Sequence, residues 1–239
     1  MNAALRIVAA LCAALALTGC GRSASYRYKL TLSLNTPDGV RTGFNVVEIR
    51  YFDVIFPERG EVHDTRGQAL YLDLGQGKRP LIALLTHIRR DDEVAQNGHP
   101  YHARWLGDSP SLVLEDVCLG GAGNLDWIET AIQFNQRCRQ PFPITPADLP
   151  NLVTFGDVNN PKSVMLVEPN NLAATLGPGV SWRSMTLEVT NELDDPLTKG
   201  IDEHLPWIRG YQLNMRSPEL RSFQGLNDFV RSSDFTTGM

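Results

Sequence analysis

Tyr26, Tyr28, Leu30, Leu32 and Leu34 alternate without a break with Arg27, Lys29, Thr31 and Ser33. A strand turns successive side chains to opposite faces, so a period of two demands a sheet with one face buried and the other wet. Thr36-Pro37-Asp38-Gly39 follows and supplies turn chemistry, because proline fixes φ and glycine accepts φ > 0. Val47, Ile49 and Tyr51 then alternate with Glu48 and Arg50. The two runs predict an antiparallel hairpin, and the adjacent pair Val46-Val47 predicts a bulge in its second strand.

The same period returns at Leu70, Leu72 and Leu74. Gly75-Gln76-Gly77 turns the chain, and Leu81 to Leu85 reads as the return strand. Further strands are expected at Ser111 to Val117, Leu152 to Phe155, Ser163 to Val167 and Trp182 to Thr190. The polar stretch from Arg89 to Pro110 reads as a long surface loop, and Asp202 to Ile208 as a short helix.

One longer helix interrupts the strands, near residues 124–139. Asn124 is placed to cap it, Asp126 and Glu129 favour its positive start, and Arg137 and Arg139 its negative end. Trp127, Ala131, Phe134 and Cys138 share one face at i, i+4, i+7 and i+11, and Pro141 and Pro143 end the helix. The expected fold is therefore mainly β, an antiparallel sandwich-like domain with one packed helix. An α+β arrangement is the alternative, and a division into two subdomains near Gly120 stays open.

Before Cys20 the only charge is Arg6, and residues 7–17 are all apolar. That run is short for a bilayer span, which takes about 20 residues, and it matches the start and core of a secretory signal. It ends in Leu17-Thr18-Gly19-Cys20, a pattern that resembles the lipobox of bacterial lipoproteins. The resemblance implies a signal peptide over residues 1–19, cleaved before a cysteine that carries diacylglycerol and an acyl chain such as palmitate. The mature chain then spans residues 20–239, attached to the periplasmic face of a membrane through lipid on Cys20. Gly21 stands where inner-membrane lipoproteins of enteric bacteria carry Asp, which favours the outer membrane.

Of the four cysteines, Cys12 leaves with the leader and Cys20 takes the lipid. Cys118 and Cys138 remain in an oxidising compartment, where a lone pair is expected to form a disulfide. The net charge of −5 is mild, with no basic stripe for nucleic acid and no polybasic patch for anionic lipid.

"LPNLVTFGDVNNPKSVMLVEPNNLAATLGPGV" and "MTLEVTNELDDPLTKGIDEHLPWI", with the opening strand pair "YKLTLSLNTPDGVRTGFNVVEIR", resemble a family of uncharacterised envelope proteins from proteobacteria. That family has no assigned activity, so the resemblance implies no catalytic or binding residues. It implies a bacterial, membrane-attached domain.

Other clusters carry a plainer reading. His99 and His102 flank Pro100-Tyr101, with His87 upstream, but they lack the spaced third and fourth ligands of a zinc site. Asp157 to Asn160 and Asn191 to Asp195 are oxygen-rich but lack calcium-loop spacing, and they read as turns. Gly120-Gly121-Ala122-Gly123 lacks the Lys-Ser/Thr of a phosphate loop and reads as a joint. Trp207 reads as a core anchor for the short helix beside it. No catalytic residue, metal or cofactor is assigned. The expected function is a non-catalytic binding or structural module of the envelope with an envelope protein as partner, and the alternative is a periplasmic hydrolase without a recognisable motif.

Overall fold

The computed structural model describes residues 21–54, 60–85, 113–121, 125–191, 200–208 and 236–237. Among the described residues ten strands fall into two antiparallel sheets. The first sheet contains β1 (Ser23–Thr36), β2 (Gly39–Val54), β3 (Gly60–Gln68), β6 (Phe142–Pro143), β9 (Ser181–Val189) and β10 (Thr236–Thr237), in the order β10-β3-β2-β1-β9-β6. The second contains β4 (Leu70–Leu72), β5 (Leu81–Ala83), β7 (Leu152–Phe155) and β8 (Val164–Leu166), in the order β4-β5-β7-β8. Three α-helices are described, α1 (Trp127–Arg137), α2 (Leu172–Leu176) and α3 (Ile201–His204). The chain is mainly β with a packed helix, as the alternation predicts. Both sheets combine strands from before and after Gly120.

The alternation of β1 is the organising feature. Tyr26, Tyr28, Leu30, Leu32 and Leu34 are all buried, and Val47, Ile49 and Tyr51 of β2 and Met185, Leu187 and Val189 of β9 join them in one core. The opposite face of β1 stays polar, with Arg27 reaching Glu48 across the strand pair at 3.7 Å and Ser33 sharing a hydrogen bond with Thr42 at 2.8 Å. Burial pushes the Tyr28 phenol above its usual range, so the neutral form is the one that fits the core.

The β1–β2 register runs unbroken from Ser23 opposite Phe52 to Thr36 opposite Gly39, so Val46-Val47 is no bulge on that side. The irregularity lies on the other side of β1, where Ser33 faces Ser184 but Leu34 faces Trp182, leaving Arg183 as an extra residue in β9.

Two elements cover the inner face of the first sheet. Near one end of β1, Phe134 of α1 meets Tyr26 edge-on at 4.8 Å. Near the other end the second sheet comes close to Gly43, where an added Cβ would lie 3.2 Å from a methyl of Leu72 and 3.4 Å from the Tyr71 carbonyl. Leu70, Leu72, Leu81, Ala83 and Leu152 complete this core. The far face of the second sheet has its own cover. Ile82, Val153, Phe155 and Val164 pack with Ile201, Leu205 and Ile208 around α3. Being covered on both faces explains why β5 reads as a continuous apolar run and β7 as one broken only by Thr154.

Gln68 joins the layers. Its side-chain oxygen accepts from the backbone N–H of Ile201 at 3.0 Å, and its carbonyl accepts from the Asn45 amide at 2.8 Å.

Three expectations are corrected. Residues 113–119 are helical, with Glu115–Leu119 forming a π-helical turn, so no strand occupies 113–117; residues 111 and 112 lie outside the described residues. α1 begins at Trp127 and its cap is Asp126, whose carboxylate accepts from the Glu129 N–H at 2.7 Å; Asn124 lies outside the described residues. Trp127 is 42% exposed, and the buried stripe consists of Ile128, Ala131, Phe134 and Cys138. The first helical residue sits at the rim of the core, so its side chain reaches only the edge.

Candidate functional site

The described chain starts at a fixed point. The Arg22 carbonyl accepts from the Asp53 N–H at 3.0 Å, which closes the open end of the β1–β2 hairpin. The Arg22 guanidinium donates to Asp53 through Nε at 3.1 Å and to Asp126 through a terminal nitrogen at 2.8 Å. One side chain thus joins the start of β1, the end of β2 and the cap of α1. Asp126 serves both as helix cap and as Arg22 partner. The Glu129 N–H, and then Arg22, hold its carboxyl below the usual carboxylate range.

The lowered pKa sets a direction for the pH dependence. A carboxylate whose pKa is depressed by folding stabilises the fold above its unfolded value and loses that effect as pH falls through the folded value. Asp126→Ala is therefore expected to melt below wild type at neutral pH, with the difference shrinking as the pH drops below about 4. Thermal melts of both proteins across that range check it.

Beside this corner an aromatic run leads from core to surface. Phe134 contacts Tyr26, Tyr26 stacks on Tyr51 at 6.5 Å, and Tyr51 stacks on Trp127 at 5.8 Å with 16° between planes. His63 lies 5.9 Å from Tyr51. Leu125, next to the cap, is 45% exposed. The corner therefore presents an aromatic and an aliphatic side chain on either side of Asp126.

Cys118 and Cys138 are joined by a disulfide, with Cα atoms 5.7 Å apart. Cys138 is buried among the core residues at the end of α1, and Cys118 lies half-buried in the π-helical turn. The bridge therefore ties the far end of the helix to that turn rather than to a strand. Gly120 and Gly121 end the turn with φ of 71° and 91°, their N–H groups donating to the Asp116 and Glu115 carbonyls. They stop a helix, which is the work of residues that tolerate positive φ.

The described candidates among the rest serve turns and the core. Cys20, His87, His99 and His102 lie outside the described residues, as do residues 192–199 after Asn191. Asp157 and Asn160 accept from the backbone N–H groups of Asn159 and Lys162 at 2.9 and 3.0 Å, which is turn chemistry. Trp207 packs on Phe155 at 5.8 Å and donates its indole N–H to the Val158 carbonyl at 2.9 Å, as a core anchor does. His204 stacks on Tyr71 at 3.9 Å. Among the described residues no three His, Cys, Asp or Glu side chains gather closely enough to share a metal ion, and no helix is long and apolar enough to cross a membrane.

The corner around Arg22 is the part that sequence reasoning missed. Its residues are separated by 31 and 104 positions along the chain, and no local pattern links them. Comparison with known proteins returns no matching family model, no matching curated protein and no matching solved structure.

Proposed function

We propose that the chain is a bacterial envelope lipoprotein, acylated on Cys20 after removal of residues 1–19, whose β-rich domain acts as a non-catalytic binding or structural module. The observation that carries the reading is the order of the first 23 residues: one basic residue, an apolar run, small residues, a cysteine, and then β1 beginning at Ser23. A lipid on Cys20 with a second and third acyl chain holds a domain at a membrane, whereas one chain alone anchors marginally. The Cys118–Cys138 bridge fits the oxidising compartment to which such a signal leads. The resemblance to proteobacterial envelope proteins agrees with it, and the absence of Asp at position 21 favours the outer membrane.

Cell fractionation tests the anchor. Wild type is expected to sediment with membranes, and Cys20→Ala to move to the soluble periplasmic fraction or to accumulate with its leader attached. Cys20→Ala that still sediments as a mature, leader-free protein contradicts the reading.

A further inference from the structure

We infer that the corner formed by Leu125, Trp127 and Arg22 rests on the membrane surface, so that Trp127 and Leu125 lie among lipid headgroups beside the anchored Cys20. The inference rests on the lipid-anchor reading and goes beyond it, because an anchor alone leaves a domain free to face any way.

The geometry is set by the length of chain between anchor and fold. Only Gly21 separates Cys20 from Arg22. Consecutive Cα atoms are about 3.8 Å apart, so the lipid-bearing residue lies within about 7.6 Å of the Arg22 Cα. The polar headgroup layer on each side of a bilayer is about 5–8 Å thick. In the folded domain Arg22 is pinned and is not part of the tether, since its carbonyl is bonded to the Asp53 N–H and its side chain to Asp53 and Asp126. The domain therefore has no flexible stalk, and whatever surrounds Arg22 meets the headgroups.

What surrounds Arg22 suits that position. Asp126 is in direct contact with it, and the residues on either side of Asp126 are Leu125 and Trp127, 45% and 42% exposed. Tryptophan prefers the membrane–water boundary, where its ring is half in an apolar setting and its N–H stays wet. The stack on Tyr51 fixes the Trp127 ring in place, so little side-chain freedom is lost on contact. The corner has no excess of basic groups, since Arg22 is matched by two carboxylates. The contact is then apolar and enforced by the tether, which keeps the local lipid concentration high, and anionic lipid is not required.

The test uses the full-length lipidated protein in phosphatidylethanolamine–phosphatidylglycerol vesicles that carry a nitroxide on the acyl chain close to the headgroup. Tryptophan emission is compared between wild type and Trp127→Phe, which keeps an aromatic ring on Tyr51; equal melting temperatures show that the variant folds. Wild-type emission is expected to be quenched, and Trp127→Phe to lose most of that quenching. Equal fractional quenching in the two proteins overturns the inference. An acylated wild type that is not quenched also overturns it while leaving the anchor intact. A wild-type N-terminus without acyl mass overturns both the anchor and the contact.

Discussion

Phe134→Ala is expected to destabilise the domain by about 3–5 kcal/mol, the usual cost of emptying a large aromatic site in a core. Phe134 is 1% exposed and is the largest side chain that α1 inserts against the first sheet. Its ring meets Tyr26 edge-on, so truncation removes both apolar burial and an oriented aromatic contact. The cavity opens between a long helix and the central strand β1, two elements that cannot easily collapse onto each other. With a melting temperature that shifts by about 2–4 °C per kcal/mol in domains of this size, the loss is on the order of 10 °C. Thermal melts read it directly. A shift of a degree or two would place Phe134 outside the core and contradict the packing of α1 on β1.

Breaking the Cys118–Cys138 bridge is expected to cost about 3 kcal/mol, because it frees a loop of about 20 residues in the unfolded chain. Two variants separate the link from its surroundings. Cys118 is half-buried at a surface turn, so Cys118→Ala chiefly removes the link. Cys138 is fully buried among apolar side chains, so Cys138→Ser adds a hydroxyl to the core and is expected to melt lower still. Reducing agent should lower the melting temperature of wild type and leave both variants unchanged. Equal melting of oxidised and reduced wild type, or free thiols at Cys118 and Cys138 in protein purified without reductant, contradicts the bridge.

The parts of the fold that were legible in the sequence are those where one physical constraint acts alone. β1 announces itself because one of its faces is wet and the other dry, so Tyr26 to Leu34 carry the whole pattern. β7 is bounded by turns and buried on both faces, and its apolar residues Leu152, Val153 and Phe155 match the expected span, Leu152 to Phe155. β3 is not legible because Gly60 to Gln68 is polar apart from Val62 and owes its place to backbone pairing with β2, from Val47 opposite Gly67 to Val54 opposite Gly60. The strand expected at Ser111 to Val117 is a helical turn over its described residues 113–117, because a short apolar run fits a buried strand and a buried helical turn equally well. Tertiary context decided it: the turn carries Cys118 to α1 and ends at the left-handed Gly120.

The disulfide pair was legible on the expectation that Cys12 leaves with a leader and Cys20 takes a lipid, which leaves Cys118 and Cys138. The Arg22 corner was not, because an ion pair between residues 22, 53 and 126 exists only after β1, β2 and α1 have met. Trp127 shows the same limit. Helical spacing placed it on the buried stripe, whereas the start of α1 at that very residue leaves it at the rim, stacked on Tyr51.

Intact-mass measurement of the protein extracted from its own membranes is the most direct measurement of the anchor on which the functional reading stands. The predicted species begins at Cys20 and exceeds the mass of residues 20–239 by that of a diacylglycerol plus an acyl chain, with the excess mapping to the N-terminal peptide. A species that retains residues 1–19, or one cleaved to a Cys20 without acyl mass, would contradict it.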